Sequence, residues 1–175
     1  MNFQPKLHVL FRHDEIEATV KRLAAEIKED YHDKYPLLLG VLKGSFIFLA
    51  DLVRELDFPL EVDFIQLSSY GGEKRSSERV RVVRGLCTEV RGRDILVVED
   101  IVDTGLTTSF LRDHLRQQQP NSLKLCTLTD KPARRQVPVS IDYLGFTVPD
   151  RFIVGYGIDW DEKFRNLPDI YVLED

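Results

Sequence analysis

Residues 97–109 read VVEDIVDTGLTTS: the end of an apolar run, two adjacent carboxylates at Glu99 and Asp100, a third at Asp103, and then a turn of Thr, Gly and Ser. The run, Ile95–Val98, has the unbroken hydrophobicity of a strand covered on both faces. A helix over about Thr107–Gln118 is expected next, ended before Pro120, and then a second strand over Leu123–Thr129. Apolar strands separated by a helix imply a mostly parallel sheet with helices on both faces. In such an open α/β sheet, ligands sit beyond the carboxyl ends of the strands. The three acids and the turn fall there.

The turn Thr104-Gly105-Leu106-Thr107-Thr108 has what a monophosphate needs. Gly105 lets the backbone approach closely, amides at a helix N-terminus point inward, and three hydroxyls add donors. No lysine follows, so it is not a Walker loop. Gly155-x-Gly157 leads into Asp159 and Trp160 without a third glycine, so a dinucleotide fingerprint is also missing. Two carboxylates beside a phosphate cradle would repel the ligand unless a vicinal diol donates to them or a divalent cation is held by their oxygens. A ribose 5-phosphate meets both conditions. A solvated acidic turn capping the helix is the plainer alternative.

Outward from this stretch, Ile16, Val20, Leu23, Ala24 and Ile27 fall at helical spacing, with Asp14 as the expected cap. Leu37–Leu42 reads as a buried strand, bounded by Pro36 and Lys43-Gly44, and leads into a helix over Ser45–Leu56. Leu60–Ser68 and Arg79–Arg84 alternate as strands around the polar, Gly71-Gly72-containing segment Ser68–Glu78, which is expected to be a mobile excursion. Short strands are expected at Tyr143–Val148, Phe152–Gly155 and Ile170–Leu173, with one helical turn near Asp161–Arg165. No repeat, low-complexity tract or linker interrupts the chain, so residues 1–175 are expected to form a single domain.

The chain has 175 residues, with 24 Lys+Arg against 29 Asp+Glu, a formal charge of −5. That balance argues against sequence-independent binding of nucleic acid but leaves a small anionic ligand open. Cys87 and Cys126 belong to no metal-ligand or disulfide pattern and are expected to be buried free thiols. The four histidines show no ligand spacing and read as surface residues. No apolar stretch approaches the ~20 residues of a membrane span. The start lacks the regions of a signal peptide, so the chain is expected to be cytoplasmic and complete.

The order hydrophobic strand, Glu99-Asp100, two residues, Asp103-Thr104-Gly105 and a Thr/Ser helix start resembles the phosphoribosyl pyrophosphate motif of type I phosphoribosyltransferases. Other motifs resemble the hypoxanthine-guanine branch of that family over nearly the whole chain. The resemblance implies that family's α/β fold, a mostly parallel sheet flanked by helices with a small hood and a flexible loop. It implies a magnesium-dependent purine salvage enzyme. The enzyme would transfer the phosphoribosyl group to hypoxanthine, and to guanine, giving the nucleoside monophosphate and pyrophosphate.

The same resemblance distributes roles. Glu99 and Asp100 would hold the ribose diol and metal, and Thr104, Gly105, Leu106, Thr107 and Thr108 the 5-phosphate, although Leu106 stands where some members carry Lys. Asp103 would accept the purine N7 proton. Leu42, Lys43, Gly44 and Arg165 would hold pyrophosphate, with Leu42–Lys43 a cis peptide. The tetrapeptide LKGS alone reads equally as a plain strand-to-helix turn. Ser69 and Tyr70 would lie on the flexible loop, and Asp159 would meet a second metal or the pyrophosphate. Lys131 would donate to the purine 6-oxo oxygen, Phe152 would stack on the ring and the Ile153 carbonyl would accept from the base edge. As bare residues, Phe152 reads as core and Lys131 as solvated. The family also implies a homodimer or homotetramer, with no nucleic-acid or membrane partner.

Three rivals remain open on the sequence. A xanthine-preferring or pyrimidine enzyme shares the class, and Lys131 with FIVGYGID disfavours only the pyrimidine version. An RNA-binding regulator on the same fold would need a basic face, but the cluster Arg79, Arg81 and Arg84, with Lys74 and Arg75, is broken by Glu73 and Glu78. A scaffold that has lost catalysis conflicts with the presence of all three acids.

Overall fold

The computed structural model describes residues 5–70 and 79–174. After β1 (Lys6–Phe11) comes helix α1 (His13–Tyr31), which buries Ile16, Val20, Leu23, Ala24, Ile27 and Tyr31 along one stripe. Burying each large side chain contributes roughly 1.5–3 kcal/mol. Arg12, not Asp14, is the N-cap, and its amide donates to Glu15 at 2.9 Å, so Asp14 lies inside the first turn.

Then follow β2 (Leu37–Leu42), α2 (Phe46–Glu55), β3 (Glu61–Tyr70), β4 (Arg79–Arg84), β5 (Asp94–Val102), α3 (Leu106–Arg116), β6 (Ser122–Asp130) and β7 (Tyr143–Thr147). These strands form one sheet in the order β4-β3-β2-β5-β6-β7. All neighbours are parallel except β3 and β4, so the sheet is parallel with one antiparallel edge. Alternation along β2 explains its layers. Leu38 joins α1 and α2 in one core, while Leu37, Leu39 and Val41 join Leu111 and Leu115 of α3 in the other. Both faces are therefore covered, which is why the strand reads as one apolar run.

β8 (Ile153–Val154) and β9 (Ile170–Glu174) form a separate antiparallel sheet with β1, in the order β1-β9-β8. This is the expected hood. β1 is absent from the sequence reading, because Lys6–Phe11 becomes a strand only through pairing with residues 170–174. The helical turn expected near Asp161–Arg165 is not formed. Asp161, Glu162 and Phe164 have positive φ angles, and Trp160 and Lys163 form an isolated bridge instead. A 3-10 turn over Pro132–Arg134 was also not anticipated.

Cys126 is buried, and burial pushes its thiol pKa up, but Cys87 is exposed, against the expectation for both. No helix among the described residues is long and apolar enough to cross a membrane.

Candidate active site

The carboxyl ends of β2, β5 and β6 meet at one end of the sheet and bring the distant motifs together. β5 continues through the two acids as far as Val102, with Glu99 opposite Thr127 and Ile101 opposite Thr129 on β6. The sequence reading had ended this strand at Val98, because adjacent carboxylates disfavour an interior strand. Tertiary support makes up the difference: buried Thr129 donates its hydroxyl to the Asp100 carbonyl at 2.8 Å.

Both acids are held against their preference for charge. Burial, with the neighbouring Asp100 charge, raises the pKa of Glu99 well above the usual carboxylate range. Asp100 is pushed up to about 6 by burial, against opposing hydrogen bonds from the Ile101 and Asp100 amides and the attraction of Arg165. These all-oxygen acids fit magnesium, which typically takes one or two carboxylates and completes its shell with water and substrate phosphates. Among the described residues no three potential metal ligands are grouped together.

Beside them, the Leu42–Lys43 peptide is cis. Gly44 is fixed by close approach: a Cβ there would stand 1.7 Å from Asp100 Oδ2. The Gly44 carbonyl is itself packed on Gly157, where a Cβ would meet that oxygen at 2.3 Å. The loop after β2 is thus held between Asp100 and the Gly155–Gly157 turn.

The phosphate-type turn is built as its sequence suggests. Gly105, at φ +85°, is the N-cap of α3, and Ser109 N bonds its carbonyl at 2.9 Å. The Thr104 carbonyl accepts from Gln136 N and Val137 N, and its hydroxyl from Leu106 N at 3.4 Å. Thr107 and Thr108 lie in the first turn of the helix, and Thr108 is buried and lines a cavity beneath α3.

Asp103 Oδ1 is buried without a hydrogen-bond partner, and Arg134 Nε stands 3.7 Å from it. Arg135, which the sequence reading passed over, holds this corner. Its guanidinium pairs with Asp130 and donates through Nε to the Asp103 carbonyl at 3.0 Å, joining the end of β6 to the turn after β5. Only its place in the KPARR run, close behind a strand end, could have drawn attention to it.

Two residues expected on the purine side, Lys131 and Phe152, reverse their bare-sequence readings. Lys131 is 3% exposed and Phe152 is 63% exposed. Lys131 Nζ donates to the Arg151 carbonyl at 2.7 Å and lies 5.9 Å from the Phe152 ring centroid. Burial lowers the Lys131 pKa, and the Asp103 charge opposes that fall. Ile153 is buried on β8.

Arg165 donates to the Gly157 carbonyl at 2.9 Å and pairs with Asp159 at 2.9 Å and Glu162 at 3.3 Å. Lys43 Nζ also reaches Glu162, at 3.0 Å. Glu162 thus joins two expected pyrophosphate cations, a link that its place 119 residues after Lys43 could not reveal. Ser69 and Tyr70 end β3, but their side chains and the segment 71–78 lie outside the described residues.

Comparison with known proteins agrees with this arrangement. The family model for the phosphoribosyl transferase domain matches residues 9–161. The chain is 48% identical to the hypoxanthine-guanine phosphoribosyltransferase of Bacillus subtilis, over 95% of this chain and 92% of that one. It is 46% identical to the enzyme of the same name from Aquifex aeolicus, over 97% and 96%. The crystal structure of a hypoxanthine-guanine phosphoribosyltransferase from Bacillus anthracis superposes with a TM-score of 0.92 at 43% identity, covering 98% of this chain and all of that one. In sequence and overall fold, the chain belongs to the phosphoribosyltransferase family and, within it, to the hypoxanthine-guanine phosphoribosyltransferases.

Proposed function

We infer that this chain is a purine salvage enzyme that joins a 6-oxopurine, hypoxanthine or guanine, to phosphoribosyl pyrophosphate. The reading rests above all on a buried ammonium at Lys131 set beside the solvent-exposed Phe152 ring. A flat base can stack on that ring and present a 6-oxo acceptor to the ammonium. Adenine carries an amino donor at the same place and offers the ammonium no acceptor beyond the Arg151 carbonyl it already holds, and a mismatch of this kind commonly costs factors of ~10⁴ or more.

The reaction forms a bond from purine N9 to the sugar C1 and breaks the bond from C1 to the pyrophosphate oxygen. The proton on purine N7 passes to the Asp103 carboxylate. Glu99 and Asp100 accept from the ribose hydroxyls, and the amides of Thr104, Gly105, Leu106, Thr107 and Thr108 hold the 5-phosphate at the positive end of α3. Leu42, Lys43, Gly44 and Arg165 receive the departing pyrophosphate, where positive charge stabilises what develops as the bond breaks. Closure of the loop carrying Ser69 and Tyr70 would keep water from the reacting carbon. Glu99, Asp100 and Asp159 are the residues to hold magnesium, which when bound would neutralise phosphate charge. We place the whole reaction in one domain spanning 1–175, in a cytoplasmic homodimer or homotetramer as the family suggests.

The test is to mix the protein with phosphoribosyl pyrophosphate, magnesium and each purine in turn, and to follow nucleotide formation by absorbance. Hypoxanthine and guanine are expected to react and adenine to fail, and the same assay ranks xanthine. No product from either hypoxanthine or guanine overturns the reading. Asp103→Asn is expected to lower kcat by about 10²–10⁴-fold, the usual contribution of a positioned base, while phosphoribosyl pyrophosphate still binds. Complete loss of that binding in a titration would make Asp103 a structural residue.

A further inference from the structure

Between α3 and the strands it covers lies a second cavity, of about 230 Å³. Its lining includes buried Val97, Leu111 and Leu125, which give it an apolar floor. Four charged side chains also line it, and two of them are already engaged. Lys124 pairs with Asp30 at 2.7 Å, and Asp142 accepts the Leu125 amide at 2.8 Å. The other two are Arg112 and Arg116, four residues apart and so on one face of α3.

Among the described residues neither guanidinium has a carboxylate within 4.0 Å or a side-chain hydrogen bond, and Arg112 Nε is buried without an acceptor. A buried polar donor without an acceptor is costly and uncommon in native structures, so the Arg112 Nε is poised to take one. Both line the same apolar-floored space, Arg112 half-buried and Arg116 at its exposed rim.

We propose that this cavity is a second binding site, for a small organic anion: a phosphate or carboxylate head on Arg112 and Arg116, with an apolar body against Val97, Leu111 and Leu125. The volume, below the ~300–1,000 Å³ of drug-sized pockets, sets the ligand at a single ring or a short chain. Thr108 belongs both to the phosphate turn and to this lining, so the two anion sites share the first turn of α3.

The probe is 4-iodophenyl phosphate, soaked into crystals of the full chain and located by the anomalous scattering of iodine. Iodine in the cavity, with its phosphate on both guanidiniums, is expected. Iodine only at the Thr104–Thr108 turn, no iodine, or an acidic side chain of a neighbouring copy seated on the two arginines overturns the proposal. In solution, Arg112→Gln and Arg116→Gln should each weaken the cavity site about tenfold, the scale of a lost charged hydrogen bond. Ser140→Phe, which leaves both arginines intact and fills the exposed edge of the lining, should abolish binding there. Unchanged affinity in all three variants, each with wild-type melting behaviour, also overturns it.

Discussion

Gly44→Ala is expected to lower kcat/KM for phosphoribosyl pyrophosphate by ~100-fold, the scale of a 1 Å misplacement in a positioned site. The added methyl carbon would lie 1.7 Å from Asp100 Oδ2 and 2.4 Å from its Cγ, far inside contact distance. Either the carboxylate leaves its place or the loop after β2 shifts. A shift of the loop is opposed by Gly157, whose Cα is packed on the Gly44 carbonyl. Both outcomes separate Asp100 from Lys43, and with it the two groups we assign to the ribose and the pyrophosphate. Gly85→Ala serves as the control, because its methyl would meet only Val82 Cγ1, at 4.0 Å. Steady-state kinetics on the two variants check the argument, and a Gly44→Ala enzyme within threefold of wild type refutes it.

Asp100→Asn should give a protein that is inactive and yet more stable. The folded carboxyl holds its proton up to about pH 6, whereas an unfolded aspartate releases it near 3.9. Between those values the folded chain binds more protons than the unfolded chain, so stability falls as pH rises through the window. Above it the penalty is complete, at about 3 kcal/mol. Asparagine fills the same space and never ionises. Its melting temperature should therefore exceed wild type by roughly 5–10 °C at pH 7, and by little at pH 4. Calorimetry at the two pH values is the measurement. Equal melting temperatures at pH 7, or the same difference at both, would show that Asp100 carries no such penalty. Glu99, raised by the same burial, works in the same direction.

These effects explain why some of the site was legible and some was not. Leu37–Leu42 and Arg79–Arg84 matched their strands residue for residue, because local apolar runs and alternation decide them. The turn at Gly105 was legible because a glycine between hydroxyl residues at a helix start has few other uses. What failed depends on partners distant in sequence. The strand through Glu99 and Asp100 relies on β6, β1 relies on β9, and the burial of Lys131 relies on the Arg151 carbonyl. Glu162 looks like one more surface acid until the fold places it between Lys43 and Arg165. Phe152 was misjudged on bare residues for the opposite reason: aromatic rings are usually covered, and this one is held open.

The hood gives that ring an origin in time as well as in space. Phe152 is fixed through its carbonyl, which accepts from Leu173 N at 2.9 Å, while Ile153 and Val154 pair with Val172 and Tyr171, and these strands in turn rest on Lys6–Phe11. The turn after β5 is held by the sheet and by Arg135, Gln136 and Val137, all within the first 137 residues, but the wall beside Lys131 needs segments from opposite regions of the sequence to close a very long loop. On a ribosome every segment that holds that turn is therefore made before residues 170–174. The wall beside Lys131 and Phe152 waits for the slow, long-range contacts of the chain.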